Sequence, residues 1–258
     1  IITARGIDIN RIPDFPLPRR MILWAAHRAA AVITVCRALK DRLIELGGEA
    51  DKTHVLRNGV DLNLFKPTRR EEKRALLGLS GRRVIVSVGS LIPRKAHHLV
   101  IEALAALPDL ATLLIAGTGP EDDKLRALCN RLGVSDRVRF LGQLPHAELA
   151  EFYSAGDVFV LASEREGWAN VLLESMACGT PVVASDVWGT PEVVAGPAAG
   201  LLVGDRTGAA FAAAITRVLA NPPTRKATRA YAEQFSWDAT TDGQRDLFRR
   251  VVEGAASS

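Results

Sequence analysis

Short apolar runs rich in β-branched residues alternate with longer runs of helical periodicity from residue 83 onward. Strands separated by helices pair in parallel, and near-continuous apolar strands of this kind are buried on both faces. Right-handed crossovers then predict an α/β fold with a doubly wound, Rossmann-like parallel sheet covered by helices. The six predicted strands are 83–89, 111–117, 137–142, 157–163, 181–185 and 200–204.

The first 65 residues contain a shorter version of the same alternation, with only two strand–helix units. Two units are too few for a domain, so we predict that residues 1–65 are the last part of one and that residues 66–235 form a complete one. The chain begins with Ile1 and Ile2, an apolar β-branched start that fits the middle of a buried strand. We therefore expect the N-terminus to be a cut within a longer chain.

Composition excludes several classes of protein. Hydrophobic residues make up 48% and charged residues 24% of the chain, which excludes a disordered chain, and the absence of an apolar run of about 18 residues excludes a transmembrane helix. Residues 1–80 hold 15 Lys and Arg against 9 Asp and Glu, which is typical either of a surface facing anions or of a solvated basic face. Aromatic residues are only 5% of the chain, so nucleic acid is the least favoured anion.

The three cysteines, Cys36, Cys129 and Cys178, are widely spaced and form no CxxC pair. They predict neither a disulfide framework nor a zinc site, and buried thiols in a reducing cytoplasm are the expected state. No histidine has the spacing of a metal ligand, so no metal site is predicted.

The segment from Glu164 to Glu174 carries the strongest chemical signal. Glu166 lies in the loop after a buried strand, and Glu174 follows eight positions later on the next helix, for which Asn170 is the predicted N-cap. Gly167 is expected to adopt an unusual backbone conformation between them. Free amides at the helix start suit a phosphate and the two carboxylates suit hydroxyl groups, so the pattern favours a ligand that carries both. Solvated carboxylates beside a packed helix are the alternative.

A second loop, Gly89 to Lys95, also follows a strand and precedes a helix. Arg94 and Lys95 lie where the helix dipole favours acids, and such a local conflict is typical of a functional site, here one for phosphate. Exposed basic residues are the alternative. The loop Gly117–Pro120 fails the GxGxxG pattern because Asp122 occupies the third glycine position, which disfavours NAD and predicts a tight turn with close backbone approach.

The segment Thr190–Glu192 predicts a helix start, with Thr190 as the N-cap and Pro191 as the first helical residue. Such a start is mainly structural, and contact with a ligand is the alternative.

The motifs of this chain, in their order, resemble those of the GT-B retaining glycosyltransferases of family 4. The matching segments cover nearly the whole chain: ITARGIDIN, RNGVDLNLFKP, VGSLIPRKAHHLVIEAL, LIAGTGPEDDKL, RVRFLGQLP, YSAGDVFVLAS, REGWANVLLESMACGTPVVAS and FSW. The resemblance implies a complete C-terminal donor domain over 66–235 and a remnant of an acceptor-binding domain over 1–65. Residues 236–258 are then expected to form a helix that crosses back to that remnant.

The resemblance also implies residue roles. Glu166 is expected at the transferred sugar as the catalytic residue, Glu174 at the nucleotide ribose and Lys95 at the diphosphate. The chain has Ser90 where the family often has Arg, a charge that Arg94 is in a position to replace, and Ala96 where Gly is usual. The full set of expected donor-binding residues is Gly89, Ser90, Arg94, Lys95, Gln143, Leu144, Gly167, Trp168, Ala169, Asn170, Val171 and Glu174.

The implied activity is hexosyl transfer with retention from a UDP- or GDP-linked sugar to an acceptor hydroxyl, in cell-surface glycan or glycolipid synthesis. No cofactor or metal is implied, and the acceptor, a sugar or a lipid-linked molecule, is not identified. A cytoplasmic protein is expected, with peripheral contact at the inner face of the membrane as a hypothesis. A non-catalytic sugar-nucleotide binding module and another GT-B enzyme, such as a nucleotide-sugar epimerase, are the alternatives. We do not expect residues 1–258 to catalyse transfer alone.

Overall fold

The computed structural model describes residues 1–256 and contains two parallel sheets. The strands are β1 Ile2–Ala4, β2 Val32–Thr34, β3 Thr53–Val55, β4 Arg83–Val88, β5 Ala111–Ala116, β6 Val138–Phe140, β7 Val158–Leu161, β8 Val182–Ser185 and β9 Gly200–Val203. The helices are α1 Ile7–Asn10, α2 Pro16–Arg28, α3 Arg37–Glu45, α4 Arg70–Leu76, α5 His97–Ala105, α6 Asp122–Arg131, α7 Leu149–Ala155, α8 Asn170–Ala177, α9 Thr190–Val193, α10 Gly208–Ala220, α11 Arg225–Ala232 and α12 Trp237–Ala256.

The larger sheet has six parallel strands in the order β6-β5-β4-β7-β8-β9. Each residue of β5 and β7 is buried, because helices cover both faces, so the near-continuous apolar runs of the sequence are explained. All six predicted strands are present. The strand predicted at 137–142 begins one residue later, because Arg137 lies in a 3-10 turn and donates from Nη1 to the carbonyl of Leu107 at 3.1 Å.

The smaller sheet has three parallel strands in the order β1-β2-β3, connected by α2 and α3. A single cluster of buried apolar side chains includes Val32 and Leu39 of this part together with Val86 and Leu172 of the six-stranded part. The two sheets therefore share one apolar interface. The predicted α/β class is confirmed, with one complete Rossmann-like sheet and a smaller parallel sheet before it.

The terminal helix α12 lies against the smaller sheet, where Leu247 packs with Ala31 and Ile33. Phe235 accepts a hydrogen bond at its carbonyl from the amide of Val60 at 2.9 Å just before the helix begins. The predicted boundaries of 1–65, 66–235 and 236–258 remain predictions, and residues 257–258 of the last range lie outside the described residues. Within residues 1–256, no helix is both long and apolar enough to cross a bilayer.

The strand order of the larger sheet reverses between β4 and β7, which are neighbours although two strands and three α-helices lie between them in sequence. In open parallel sheets, ligands bind beyond the carboxyl ends of the strands at such a reversal. The loops that follow β4 and β7 are the two that contain Lys95 and Glu166. The topology therefore brings together the two loops that the sequence singled out.

Candidate functional site

The loops after β4 and β7 are joined by three polar contacts. The amide of Glu164 donates to the carbonyl of Arg94 at 2.8 Å, and Arg94 donates from Nη1 to the carbonyl of Arg165 at 2.9 Å. Lys95 Nζ lies 2.6 Å from Glu166 Oε1. Two side chains 71 residues apart in sequence thus form an ion pair at the carboxyl edge of the sheet.

The Lys95–Glu166 pair is largely removed from solvent, with the side chains 16% and 11% exposed. Removing one partner from such a pair leaves an uncompensated charge, which is costly at this degree of burial. The pair places a cation that suits phosphate beside a carboxylate that accepts hydrogen bonds from hydroxyl groups. One compact polar centre can therefore recognise both kinds of group.

Glu174 has a different partner from Glu166. Its Oε2 accepts a hydrogen bond at 2.8 Å from the hydroxyl of Tyr153, which is fully buried. Burial raises the pKa of the Glu174 carboxyl, and the Tyr153 hydrogen bond opposes that rise. Burial, followed by the charge of Glu174, raises the pKa of Tyr153, which keeps the phenol as the donor. No sequence signal identifies Tyr153 as part of the site, since a tyrosine in an apolar helix is usually only a core residue.

Gly167 is needed for space and not for an unusual backbone angle, which corrects the sequence expectation. Its φ lies outside the left-handed range, but a Cβ at this position would overlap the carbonyl oxygen of Arg5. The loop after β7 therefore touches the segment between β1 and α1. A contact across 162 residues leaves no local signal in the sequence, so only the folded chain identifies it.

Two cavities lie beside the joined loops. The first, of about 800 Å³, lies between the segment Thr3–Arg11 and the loops that carry Arg94 and Glu166, so both sheets contribute to its wall. The second, of about 240 Å³, is lined by four of the expected donor-binding residues, Gly89, Ser90, Gln143 and Leu144. The expected site residues Arg94, Glu166, Gly167 and Trp168 line the first cavity. Lys95 lines neither cavity, but it forms an ion pair with Glu166, which lines the first one. The other expected residues that line neither cavity are Ala169, Asn170, Val171 and Glu174.

The predicted N-cap at Asn170 is wrong. Helix α8 begins at Asn170, Ala169 precedes it, and the helix has no side-chain cap. The Oδ1 of Asn170 instead accepts a hydrogen bond from Asn58 Nδ2 at 3.3 Å. Ala169 is buried and Val171 packs on the apolar core, so at these positions the backbone is the part available to a ligand.

The ring of Trp168 is turned into the protein, with the residue 7% exposed. Its ring lies 6.1 Å from that of Phe235, and the Arg57 guanidinium lies 5.9 Å from its centroid. Its Nε1 is buried and has no hydrogen-bond partner among residues 1–256. The side chain of Trp168 therefore holds the loop in place, and the cavity wall receives mainly the backbone at this position.

The segment Thr190–Glu192, predicted to be structural with Thr190 as a cap and Pro191 first in the helix, differs in detail. Helix α9 begins at Thr190, with Pro191 second, and Gly189 occupies the cap position. Glu192 forms long-range contacts that no local sequence pattern indicates: its carboxylate accepts hydrogen bonds from the amide of Arg37 and from the side chain of Arg57.

The loop at Gly117 has the close backbone approach that its sequence predicts. A Cβ on Gly117 would overlap the carbonyl oxygen of Gly89, and the backbone there has a φ of +144°. The three cysteines are buried as expected, and burial raises the pKa of Cys178 to about 12 and that of Cys36 to about 11. Within residues 1–256, no group of three or more side chains has the composition and proximity of a metal site.

Two family models match this chain, one over each of its two parts. The model of the family "Glycosyl transferases group 1" matches residues 68–235, and that of "Glycosyltransferase Family 4" matches residues 5–64. A D-inositol 3-phosphate glycosyltransferase of Segniliparus rotundus is 35% identical over 220 residues, which are 81% of this chain and 49% of the relative. That of Mycobacterium tuberculosis strain H37Ra is 36% identical over 217 residues, 80% of this chain and 45% of the relative. The chain therefore spans about half the length of the curated relatives it matches.

Solved structures share the fold. HepE of Anabaena, in complex with UDP and glucose, superposes with a TM-score of 0.83 at 28% identity, over 100% of this chain and 71% of that one. Sucrose-phosphate synthase of Thermosynechococcus elongatus gives a TM-score of 0.86 at 28% identity, over 98% of this chain and 68% of that one. With a family model matched over more than half of its length, the chain belongs to the glycosyl transferases group 1 family, in the GT-B fold.

Proposed function

We propose that this chain is the donor-binding part, with a portion of the acceptor side, of a retaining glycosyltransferase that uses a nucleotide-diphosphate sugar. The observation that carries the proposal is the Lys95–Glu166 pair at the strand-order reversal, where a phosphate-binding cation and a hydroxyl-binding carboxylate meet. The similarity to HepE, which has been solved with UDP-glucose, favours UDP over GDP as the nucleotide.

In this proposal the donor lies across the carboxyl edge of the larger sheet. The base occupies the cavity lined by Gln143 and Leu144, and the ribose hydroxyls donate to Glu174. The diphosphate lies between Lys95 and the free amides at the start of α8, where the positive end of the helix dipole favours an anion. The sugar then reaches Glu166 at the edge of the larger cavity.

Transfer follows from the same arrangement. The bond between the anomeric carbon and the diphosphate oxygen breaks, and the acceptor oxygen bonds to that carbon on the same face, so the configuration is retained. The proton of the acceptor hydroxyl leaves with the diphosphate, whose developing charge Lys95 and the helix amides stabilise. The cavity of about 800 Å³ beside Glu166, with walls from both sheets, has room for a sugar-sized acceptor.

The decisive test is nucleotide release from UDP- and GDP-sugars by the full-length enzyme. Glu166→Ala is expected to abolish transfer, and Lys95→Ala to weaken donor binding more than it lowers kcat. Glu151→Ala, which breaks the exposed ion pair with Lys73, is the matched control and should leave turnover unchanged. Unchanged turnover in Glu166→Ala would remove that residue from its catalytic role.

Two alternative functions give different results in the same experiments. A non-catalytic binding module would bind UDP, seen as a rise in melting temperature, while the full-length protein with any acceptor released no nucleotide. A nucleotide-sugar epimerase would change the sugar configuration without needing an acceptor. Melting shifts with UDP, GDP and ADP identify the base, and assays with hexose donors test whether the transferred group is a hexosyl.

The proposal includes contact with an anionic membrane surface on the cytoplasmic side, where a glycolipid or lipid-linked acceptor would be found. Leu17, Met21 and Trp24 of α2 are 68%, 63% and 63% exposed and lie on one face of the helix. The helix contains three arginines and no acidic residue, and Arg28 lies over the Trp24 ring at 5.2 Å. Basic helices with such an apolar face bind the interface of anionic membranes.

Sedimentation of the full-length protein with phosphatidylglycerol vesicles tests this part of the proposal. Trp24→Ser should reduce binding, whereas Leu76→Ser, at an 84% exposed leucine of α4, should not. Binding should also fall as salt is raised, because the arginines are screened. Equal sedimentation of both variants, or none with phosphatidylglycerol at low salt, would exclude α2 as a membrane contact.

A further inference from the structure

We infer that Glu192 and Arg57 form a positioning pair that holds the loop 166–171 in its donor-binding shape by fastening it to the smaller sheet. The inference rests on the proposed function and adds a positioning contact to the same site. Glu192 and Arg57 are separated by 135 residues, and neither belongs to the expected donor-binding set.

The Glu192 carboxylate is fully occupied by groups of the smaller-sheet part. Its Oε1 accepts hydrogen bonds from the backbone amides of Arg37 at 2.6 Å and Ala38 at 3.3 Å, which are free amides at the start of α3. Its Oε2 accepts from Arg57 Nη2 at 2.6 Å and Nε at 3.1 Å. The Glu192 side chain is 18% exposed and that of Arg57 is 46% exposed, so the contacts of Glu192 to the α3 amides are better shielded from water than its ion pair with Arg57.

Arg57 also contacts the loop 166–171. Its guanidinium lies 5.9 Å from the centroid of the Trp168 ring, within the range of a cation–π contact. The next residue, Asn58, donates to Asn170 Oδ1 at 3.3 Å, at the first position of α8. The segment after β3 therefore contacts the donor loop at both its middle and its end.

The other side of the loop packs against the start of α9, the helix that contains Glu192. A Cβ on Gly189 would overlap the carbonyl oxygen of Gly167, and it would also press on the Sγ of Cys36. The loop is thus enclosed between α9 and the segment after β3, and the Glu192–Arg57 pair is the polar link that holds those two together. Because the backbone amides at the start of α8 depend on this enclosure, loss of the pair should loosen them.

Hydrogen exchange of backbone amides tests the inference without any turnover. In Glu192→Ala and, separately, Arg57→Gln, exchange at the amides of Asn170 and Leu172, which donate to the carbonyls of Trp168 and Ala169 at 3.1 and 3.0 Å, should rise about tenfold in the native chain, as expected for a local opening that has become easier. The control Glu151→Ala removes an ion pair of similar length, Lys73–Glu151 at 2.8 Å, and should leave these amides unchanged. Glu192→Gln keeps an acceptor for the α3 amides and should restore part of the protection.

UDP binding by calorimetry supplies a second measurement. Both variants should bind UDP several-fold more weakly, and the double variant should be no weaker than the worse single one, because the two residues act as one unit. Faster exchange confined to residues 36–39, with the amides of Asn170 and Leu172 unchanged, would overturn the inference, since Glu192 would then only cap α3. If the unmodified chain did not bind UDP, the donor proposal would fail, while the exchange result would still judge the positioning pair.

Discussion

Two helices that each connect parallel strands of this molecule, α5 and α2, are buried to very different extents. In α5 of the six-stranded part, six of nine residues are buried, whereas in α2 of the three-stranded part only Ala26 of thirteen is. The larger sheet is covered on both faces, so an apolar helix beside it is enclosed. The smaller sheet has three short strands, and α2 leaves Leu17, Met21 and Trp24 at the surface. The burial of each helix therefore agrees with both the sheet that it covers and its own sequence, since α5 is largely apolar and α2 contains three arginines.

The first and largest prediction compares a core residue of the larger part with a surface residue of the smaller one. Phe159 of β7 is fully buried in the shared apolar cluster, so Phe159→Ala should lower the free energy of unfolding by about 3–5 kcal/mol. Leu17→Ala, on the open face of α2, should change it by less than about 0.5 kcal/mol. Urea unfolding of both variants measures the contrast. Similar losses would mean that the α2 face is buried in solution.

The second prediction concerns the contact between the two parts at Gly167. Gly167→Ala places a methyl group against the carbonyl oxygen of Arg5, so the loop and the smaller sheet must move apart. We expect a loss of about 1–3 kcal/mol in stability and a clear weakening of UDP binding. Gly204→Ala is the control, since a Cβ there meets open space. If both variants bound UDP equally well, the Gly167 contact would have no part in the donor site.

A third prediction uses the titration of Glu174, which lies wholly within the larger part. Burial raises the pKa of its carboxyl, and the Tyr153 hydroxyl opposes the rise by donating a hydrogen bond to the charged form. Tyr153→Phe should therefore raise the pKa of Glu174 further. Since the ionised carboxylate accepts the ribose hydroxyls in our proposal, UDP affinity should fall as pH drops through this pKa, and the fall should begin at a higher pH in the variant.

Calorimetric titration with UDP between about pH 5 and 8 would show this displacement, because ordinary carboxyl pKa values lie below that range and raised ones approach it. The wild-type and Tyr153→Phe profiles should converge at the upper end, where Glu174 is ionised in both. Profiles that coincide throughout would separate Glu174 from nucleotide binding. A control substitution in the smaller part, Trp24→Phe, should leave the pH profile of UDP affinity unchanged.

The smallest expected effect concerns Ala96, at the end of the loop that contains Lys95. Its φ of +50° lies in the left-handed range, which costs a residue with a Cβ about 1–2 kcal/mol. Ala96→Gly removes that cost but adds entropy to the unfolded chain, so a net gain of about 0.5 kcal/mol is expected in thermal unfolding. A loss above about 1 kcal/mol would show that the buried methyl group of Ala96 matters more than the backbone angle.

Much of the fold was predictable because its signals are local. All six strands of the larger sheet occur where the apolar runs predicted them, and the loops after β4 and β7 meet as parallel topology requires. Predictions that depended on single side chains were less accurate. Asn170 and Thr190 were expected to cap helices, but each is the first residue of its helix. The Asn170 side chain binds Asn58, and Gly189 occupies the cap position before Thr190.

By itself, the sequence determined the class of fold, the succession of strands and helices along the chain, and the two loops that carry Lys95 and Glu166. Those features depend on hydrophobic periodicity and on residue types close together in sequence, so they can be inferred directly from the sequence. Only the tertiary structure decided that Gly167 must be small, that Tyr153 holds Glu174, and that Glu192 binds Arg57. The contacts of Gly167 and Glu192 depend on how the two sheets pack against each other, and that of Tyr153 depends on how α7 packs against α8 within the larger part. In each case the partners belong to different elements, and only the folded chain sets the distance between them.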